Sequence, residues 1–192
     1  ESSYNDYLVE CCRDLLDCAG GKAFILFTSY FSLQYCSLKL GEWLEHKGFS
    51  PLIQSKGTSP YRLVEEFKTL DNPVLFGTNS FWEGVDVPGD QLSMVVITKL
   101  PFMVPTHPLE NARITRLEQG GGNGFTQYSL PKAVVRFKQG FGRLIRTKHD
   151  KGVVAVLDTR VKSTWYGKHF LRSLPVVDCT DRLERVSSFL NN

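Results

Sequence analysis

Short apolar runs that alternate with helical segments constrain the fold of this chain more than any other feature. Five such runs are rich in Val, Ile, Leu and Phe: residues 22–27 (KAFILF), 51–54 (PLIQ), 73–77 (PVLFG), 94–98 (MVVIT) and 153–157 (VVAVL). Runs of this length and composition are typical of strands in a parallel sheet that is covered on both faces. The pattern predicts an α/β domain of three layers, with a mostly parallel sheet between two layers of helices.

The segments between the predicted strands carry helical periodicity. Helices are predicted over residues 4–19, 60–70, 109–118 and 131–146, and also after residue 30, where the apolar stripe is Leu33, Cys36, Leu40, Trp43 and Leu44. Ser2 and Ser3 are candidate caps for the first helix, and Gly20 and Gly21 are expected to end it. Because 192 residues suffice for one core, residues 1–192 are predicted to form a single domain.

Composition excludes several classes of protein. The chain has no run of about 18 apolar residues, so neither a membrane span nor export is expected. Its five cysteines are an odd number without a CxxC pair, which favours free thiols in a reducing cytosol over disulfides, a zinc ribbon or an iron–sulfur cluster. The four histidines are scattered, and their spacing does not suggest a metal site.

Positive charge is concentrated in one segment. Between Pro131 and Lys151 the chain has seven basic residues and one acid, whereas the remainder carries a net charge of −3. A basic patch of this kind suits a polyanion, either nucleotide phosphates or a nucleic-acid backbone.

The most informative stretch is residues 131–146, PKAVVRFKQGFGRLIR. On a helix of about 100° per residue, one face is apolar and contains Val134, Phe137, Phe141, Leu144 and Ile145. The opposite face contains Arg136, Gln139, Arg143 and Arg146. Guanidinium groups without acidic neighbours at three or four residues favour phosphate binding over a solvated basic face. Gly140 and Gly142 lie beside this row, and because glycine weakens a helix, we expect a close backbone approach there.

Polar residues follow two predicted strands, at Thr28-Ser29-Tyr30 and at Thr78-Asn79-Ser80. Ligands of open α/β sheets bind beyond the carboxyl ends of the strands, so both clusters are candidate binding residues. Helix capping explains the same residues equally well. The glycine-rich loop at residues 120–124 is predicted to be a flexible surface connection, because no strand leads into it and no Gly-Lys-Ser/Thr follows it.

Several motifs together resemble those of superfamily-two helicases. Residues 139–146 (QGFGRLIR) resemble motif VI, and residues 81–89 (FWEGVDVPG) resemble motif V of the DinG and XPD branch. Residues 27–30 (FTSY) resemble motif IV, and residues 99–102 (KLPF), 150–160 and 165–168 (WYGK) also fit DinG proteins. The resemblance follows the expected order along almost the whole chain.

This resemblance implies the second RecA-like domain of an ATP-dependent DNA helicase. Arg143 and Arg146 would act as arginine fingers on ATP held by the first domain, with Gln139 orienting them or contacting the γ-phosphate. The residues implied to couple the nucleotide site to DNA are Glu83, Gly84, Asp86 and Gly142. Those implied to contact single-stranded DNA are Ser29, Tyr30, Thr78, Asn79, Ser80 and Arg136.

The chain lacks a Walker A loop and an acidic magnesium-binding motif, so the prediction is a fragment without ATPase activity of its own. ATP and Mg²⁺ would be bound mainly by the first RecA-like domain, which would also carry any iron–sulfur cluster. The implied partners are that first domain and single-stranded DNA, in a monomer that is cytoplasmic and associated with the nucleoid. Two alternatives remain: a stand-alone nucleic-acid-binding module, and a nuclease-associated protein that has lost unwinding.

Overall fold

The computed structural model describes residues 2–81, 91–103, 108–142, 144, 151–175 and 177–191. Within these ranges, the helices are α1 (Ser2–Ala19), α2 (Tyr30–His46), α3 (Pro60–Phe67), α4 (Pro108–Gln119), α5 (Leu130–Phe141), α6 (Arg160–Ser163), α7 (Gly167–Arg172) and α8 (Leu183–Leu190). The strands are β1 (Ala23–Leu26), β2 (Ser50–Ile53), β3 (Pro73–Gly77), β4 (Met94–Ile97) and β5 (Val153–Val156). A 3₁₀ turn spans Asn79–Phe81, and a π-helical turn over Phe125–Ser129 leads directly into α5.

The five strands form one sheet in the order β2-β3-β1-β4-β5, and all four pairings between neighbours are parallel. Four of the five predicted runs contain one of these strands, and the run at residues 51–54 overlaps β2 with a shift of one residue, so the predicted parallel sheet is confirmed. β1 is central and fully buried, because successive side chains of a strand point to opposite faces and both faces are covered. Pro51 lies in β2, which is an edge strand, where a missing backbone N–H can be tolerated.

Two apolar cores flank the sheet. Phe24 and Leu26 of β1 belong to the core that includes residues of α3, α5 and α7. Ala23 and Ile25 belong to the core on the other side, which is formed with residues of α1 and α2 and packs against α8. This division confirms the predicted layers of helix, sheet and helix.

Three helix boundaries differ from the predictions by more than one residue. Ser2 and Ser3 lie inside α1 rather than before it, and α3 ends at Phe67 rather than at residue 70. α5 ends at Phe141 rather than at residue 146, and Gly142 follows as its C-cap. The predicted end of α1 is confirmed, since Gly20 adopts φ +63° and Gly21 adopts φ +90°. A Cβ at Gly21 would lie 2.7 Å from the Cα of Asn72, so the backbone passes too closely for any other residue.

All five cysteines have free thiols in this structure. Cys12 and Cys36 are fully buried in the core beside α1 and α2, and burial raises the pKa of Cys36 to about 12. No helix within the described residues is long and apolar enough to cross a membrane.

Candidate nucleic-acid and nucleotide interface

Polar side chains from three strand ends meet around Gln54, the residue that follows β2. The Gln54 side chain is 5% exposed. Its Oε1 accepts hydrogen bonds from the backbone N–H of Thr78 at 2.7 Å and from the Thr78 hydroxyl at 2.9 Å. Its Nε2 donates to Tyr30 Oη at 3.1 Å and to Ser80 Oγ at 2.7 Å. We refer to Gln54, Tyr30, Thr78 and Ser80 as the Gln54 cluster.

The orientation of the Gln54 amide is determined by its partners. A backbone N–H can only donate, so the amide atom that faces Thr78 must be the oxygen. Thr78 therefore has both its backbone N–H and its hydroxyl proton directed to Gln54. Tyr30 and Ser80 instead accept from Gln54, which leaves their hydroxyl protons available to another acceptor. Thus two of the predicted DNA-contact residues can donate outward, whereas both donors of Thr78 are used within the cluster.

Ser29 has a clear local role. It is the N-cap of α2, and its Oγ accepts from the backbone N–H of Ser32 at 3.2 Å. Capping, which the sequence offered as an alternative, is therefore present, and Ser29 is also exposed at the end of β1. Asn79 begins the 3₁₀ turn after β3, but its side chain lies outside the described part of the chain.

The predicted two-faced character of α5 is visible in burial. Phe137, Phe141 and Leu144 are buried, and Val134 is partly buried against the same core. Gln139 is exposed, and Arg136 is half-buried. A Cβ at Gly142 would meet Lys138 O at 3.4 Å and Gln139 O at 3.5 Å, both in the preceding turn of α5. Both neighbours belong to α5 itself, so the close backbone approach expected at Gly142 stays a prediction.

Five of the predicted site residues lie outside the described residues: Glu83, Gly84, Asp86, Arg143 and Arg146. Residue 145, which was expected on the apolar face, lies outside them as well.

A second polar cluster lies at the carboxyl edge of the sheet, beyond β4 and β5. Asp158, which follows β5, is 5% exposed. Its carboxylate accepts from the backbone N–H of Leu100 at 2.9 Å and from that of Arg160 at 3.0 Å. Nε of Arg160 donates to Asp158 Oδ1 at 2.9 Å, and Nη2 of Arg160 donates to Asp158 Oδ2 at 2.6 Å. Burial alone would raise the pKa of Asp158, but these hydrogen bonds outweigh it and hold the pKa below its ordinary value. We refer to Asp158, Leu100 and Arg160 as the Asp158 cluster.

An aromatic cluster lies next to Arg160. The Phe102 ring, in the connector after β4, stacks on Phe125 with centroids 5.6 Å apart and meets Tyr166 and Phe170 edge-on at 5.7 Å. The Arg160 guanidinium lies 5.7 Å from the Phe102 centroid. The apolar connector at residues 101–103 is thus packed against the core through Phe102.

The glycine-rich loop at residues 120–124 lies at the surface, as predicted, with residues 120, 121 and 123 exposed. Its backbone N–H groups bond to the chain around them: Gly120 N to Leu117 O, Gly121 N to Glu118 O, Gly122 N to Leu117 O, and Asn123 N to Gln127 Oε1. The loop is therefore a hydrogen-bonded turn between α4 and the π-helical turn, and these donors are engaged internally rather than directed to a phosphate.

Sequence reasoning gave no functional role to Gln54, Asp158 or Arg160. The signal for Asp158 was the one used for Ser29 and Thr78, a polar residue after an apolar run. Gln54 gave a weaker signal, as the polar last residue of the predicted run 51–54. Asp158 and Arg160 are two residues apart, and this spacing permits the salt bridge between them.

A parallel sheet between helices, with its polar clusters at the carboxyl edge, places the chain among RecA-like α/β domains. Solved structures with this fold include apo XPD, at TM-score 0.65 and 21% identity over 88% of this chain and 33% of that one. Dbp5 of S. cerevisiae bound to RNA and ADP BeF3 matches at TM-score 0.58 and 17% identity, over 99% of this chain and 42% of that one.

The chain belongs to the helicase C-terminal domain family, whose profile matches residues 12–177. It is 43% identical to the 3'-5' exonuclease DinG of Bacillus subtilis, over 83% of this chain and 17% of that protein. It is 41% identical to the ATP-dependent DNA helicase YoaA of Haemophilus influenzae, over 96% of this chain and 28% of that protein. The resemblance to DinG- and XPD-type domains that the motifs predicted is confirmed, and the chain spans less than a third of the length of these relatives.

Proposed function

We propose that residues 1–192 are the second motor domain of a longer ATP-dependent DNA helicase. The relatives named as helicases support this proposal, because the chain matches 96% of its own length to one of them. The partners would be the first RecA-like domain of the same polypeptide and single-stranded DNA. The full-length protein would act as a monomer, in the cytoplasm and associated with the nucleoid.

ATP would bind between the two domains, with Arg143 and Arg146 contacting its β- and γ-phosphates. Gln139 would orient these arginines or contact the γ-phosphate. The exposure of Gln139 on α5, opposite the buried Phe137 and Phe141, supports an outward-facing role for this side of the helix. Glu83, Gly84, Asp86 and Gly142 would couple this site to DNA. Mg²⁺ would be held mainly by the first domain, and any iron–sulfur cluster would belong there too. Among the described residues, no group of three His, Cys, Asp or Glu side chains is placed to hold a metal ion.

The observation that carries the DNA-binding part of the proposal is the Gln54 cluster. Residues that follow β1, β2 and β3 converge there, at the sheet edge where ligands of open α/β folds bind. Tyr30 and Ser80 would donate hydrogen bonds to DNA phosphates, Ser29 and Asn79 would flank them, and Arg136 would supply charge. Thr78 and Gln54 would position these groups.

The proposal is tested by replacing Arg143 or Arg146 with alanine in the full-length protein. Loss of an arginine finger should lower kcat for ATP hydrolysis by about 10³-fold or more while DNA affinity is largely retained. Arg62→Ala is the matched control, because Arg62 is an exposed arginine on α3 and should leave both properties unchanged. Loss of DNA affinity with unchanged ATP turnover would favour a stand-alone nucleic-acid-binding module instead.

A nuclease-associated protein without unwinding activity is the second candidate, favoured by the similarity to the 3'-5' exonuclease DinG of Bacillus subtilis. The chain covers only 17% of that protein, which leaves room for a further catalytic domain. Digestion of 3'-labelled single-stranded DNA by the full-length protein, together with failure to separate a labelled duplex in the presence of ATP, would support this candidate.

A further inference from the structure

The region next to the Asp158 cluster contains an open cavity of about 260 Å³ that the proposed function does not use. Its apolar lining comes from the connector after β4, from the π-helical turn before α5 and from the segment after α6, through Phe102, Phe125 and Tyr166. The Phe125 ring lies 5.6 Å from Phe102 and 5.3 Å from Tyr166, measured between centroids. We refer to this cavity as the aromatic pocket.

Part of this aromatic surface remains open to solvent. Phe125 is 36% exposed, and the adjoining Trp165 is 58% exposed. Packing in the described core leaves Phe24, Phe67 and Phe137 almost completely buried. The fold thus buries other large aromatic rings, whereas Phe125 and Trp165 stay accessible beside a cavity. Flat rings that stay accessible suit a flat ligand that completes the stack.

The rim of the pocket carries both donors and acceptors. Lys132 Nζ donates to the two carboxylate oxygens of Glu110 at 2.7 and 2.8 Å and to Tyr128 Oη at 3.3 Å. Hydrogen bonding to Lys132 lowers the pKa of Glu110, so this carboxylate is an acceptor at neutral pH. Arg160 also lines the pocket, with its guanidinium beside Phe102 and paired with Asp158. This combination of aromatic, donor, acceptor and cationic groups suits a nucleobase attached to a phosphate backbone.

The pocket adjoins a second cavity, which is lined in part by Ser29 of the proposed DNA track. A neighbouring cavity of about 270 Å³ is lined by Thr28, Ser29 and Lys99, and Phe102 lines both cavities. A strand whose phosphate lies against Ser29 and Lys99 would therefore meet the aromatic pocket next. Lys99 lies at the end of β4, with its Nζ 4.5 Å from the Tyr4 ring centroid.

We propose that the aromatic pocket is a stacking site for one unpaired nucleobase of the bound strand, an inference that rests on the proposed function. Phe125 and Tyr166 would contact the base, Glu110 and Lys132 would face its polar edge, and Arg160 would lie near its phosphate. Stacking of this kind tolerates every base, because each base has an aromatic face.

The test measures binding of the full-length protein to a fluorescent oligothymidine, in wild type and in Phe125→Leu. Leucine keeps the apolar volume but removes the ring, so affinity should fall by roughly 5- to 100-fold, and Phe125→Tyr should restore it. Tyr61→Leu is the matched control, because Tyr61 is a 74% exposed aromatic residue on α3 and should have no effect.

A series of oligonucleotides with one abasic site, moved stepwise along the strand, identifies the base without any protein variant. One position should weaken binding to wild type clearly more than its neighbours, and the same abasic site should cost little in Phe125→Leu. A uniform loss of affinity along the strand, or equal losses of affinity in both proteins, would overturn the stacking site. If DNA-dependent ATP hydrolysis persists, the proposed function stands despite that result. Absence of any DNA binding by wild type would refute the proposed function as well.

Discussion

The two halves of the sheet's carboxyl edge are joined by different kinds of side chain. At the β2, β3 and β1 half, the buried neutral amide of Gln54 both accepts and donates, and so links three hydroxyl-bearing residues. At the β4 and β5 half, the buried carboxylate of Asp158 only accepts, and it requires the cation of Arg160. An amide can join polar groups without charge, whereas a carboxylate brings a counter-charge with it.

The largest effect is expected for Asp158→Ala. This change leaves the Leu100 N–H and the Arg160 guanidinium without their acceptor, and should lower the free energy of unfolding by about 3 kcal/mol. Urea denaturation measures it. Asp17→Ala is the control, because Asp17 pairs with Lys47 at the surface and should cost under about 1 kcal/mol. Equal losses in the two variants would remove the distinction between a buried and a surface carboxylate.

Gln54→Ala should have the next largest effect. It leaves the buried N–H of Thr78 without a partner and should cost about 2 kcal/mol in the same assay. Gln34→Ala, at an exposed glutamine of α2, should be close to neutral. In the full-length protein, Gln54→Ala should also weaken DNA binding, because Tyr30 and Ser80 lose a common donor. Unchanged stability would contradict the positioning role of Gln54.

A smaller effect is expected at the cap of α2. Ser29→Ala removes the hydrogen bond to Ser32 N and should cost about 1 kcal/mol. Ser59 offers a close control, because it is the N-cap of α3 but makes no side-chain capping bond, so Ser59→Ala should cost less. The difference between their thermal midpoints measures the capping bond itself. A larger shift for Ser59→Ala would argue against a capping role for Ser29.

The smallest effect is a difference in how acid changes the stability contributed by the Asp158 cluster and by the Gln54 cluster. Because the folded pKa of Asp158 is lowered, its stabilisation is present above the unfolded pKa of about 3.9 and is lost as pH falls through the folded value. Unfolding free energies at pH 6 and pH 3 should therefore differ less in Asp158→Asn than in wild type. Gln54→Ala should keep the wild-type difference, since an amide does not titrate. An equal acid response in wild type and Asp158→Asn would contradict this assignment.

The sequence predicted the strands because burial on both faces of a parallel sheet demands continuous apolar runs, as in β1 and β4. It could not predict which strand ends meet, because this depends on long-range register. Ile53 pairs with Phe76, which brings Gln54 beside Thr78, 24 residues away. The end of α5 was also mispredicted, because the apolar period continues to Leu144 although the helix stops at Phe141.

The fixed direction of the Gln54 amide has a consequence for how this edge would hold an anionic strand. Hydroxyl protons of Tyr30 and Ser80 attract phosphate oxygens without displacing a counterion from the DNA, whereas lysine and arginine contacts gain affinity through counterion release. Under the proposed function, the Gln54 half would retain its share of the binding energy as ionic strength rises. DNA contacts near β2 and β3 would then persist at ionic strengths that weaken the contacts of the basic segment of residues 131–151.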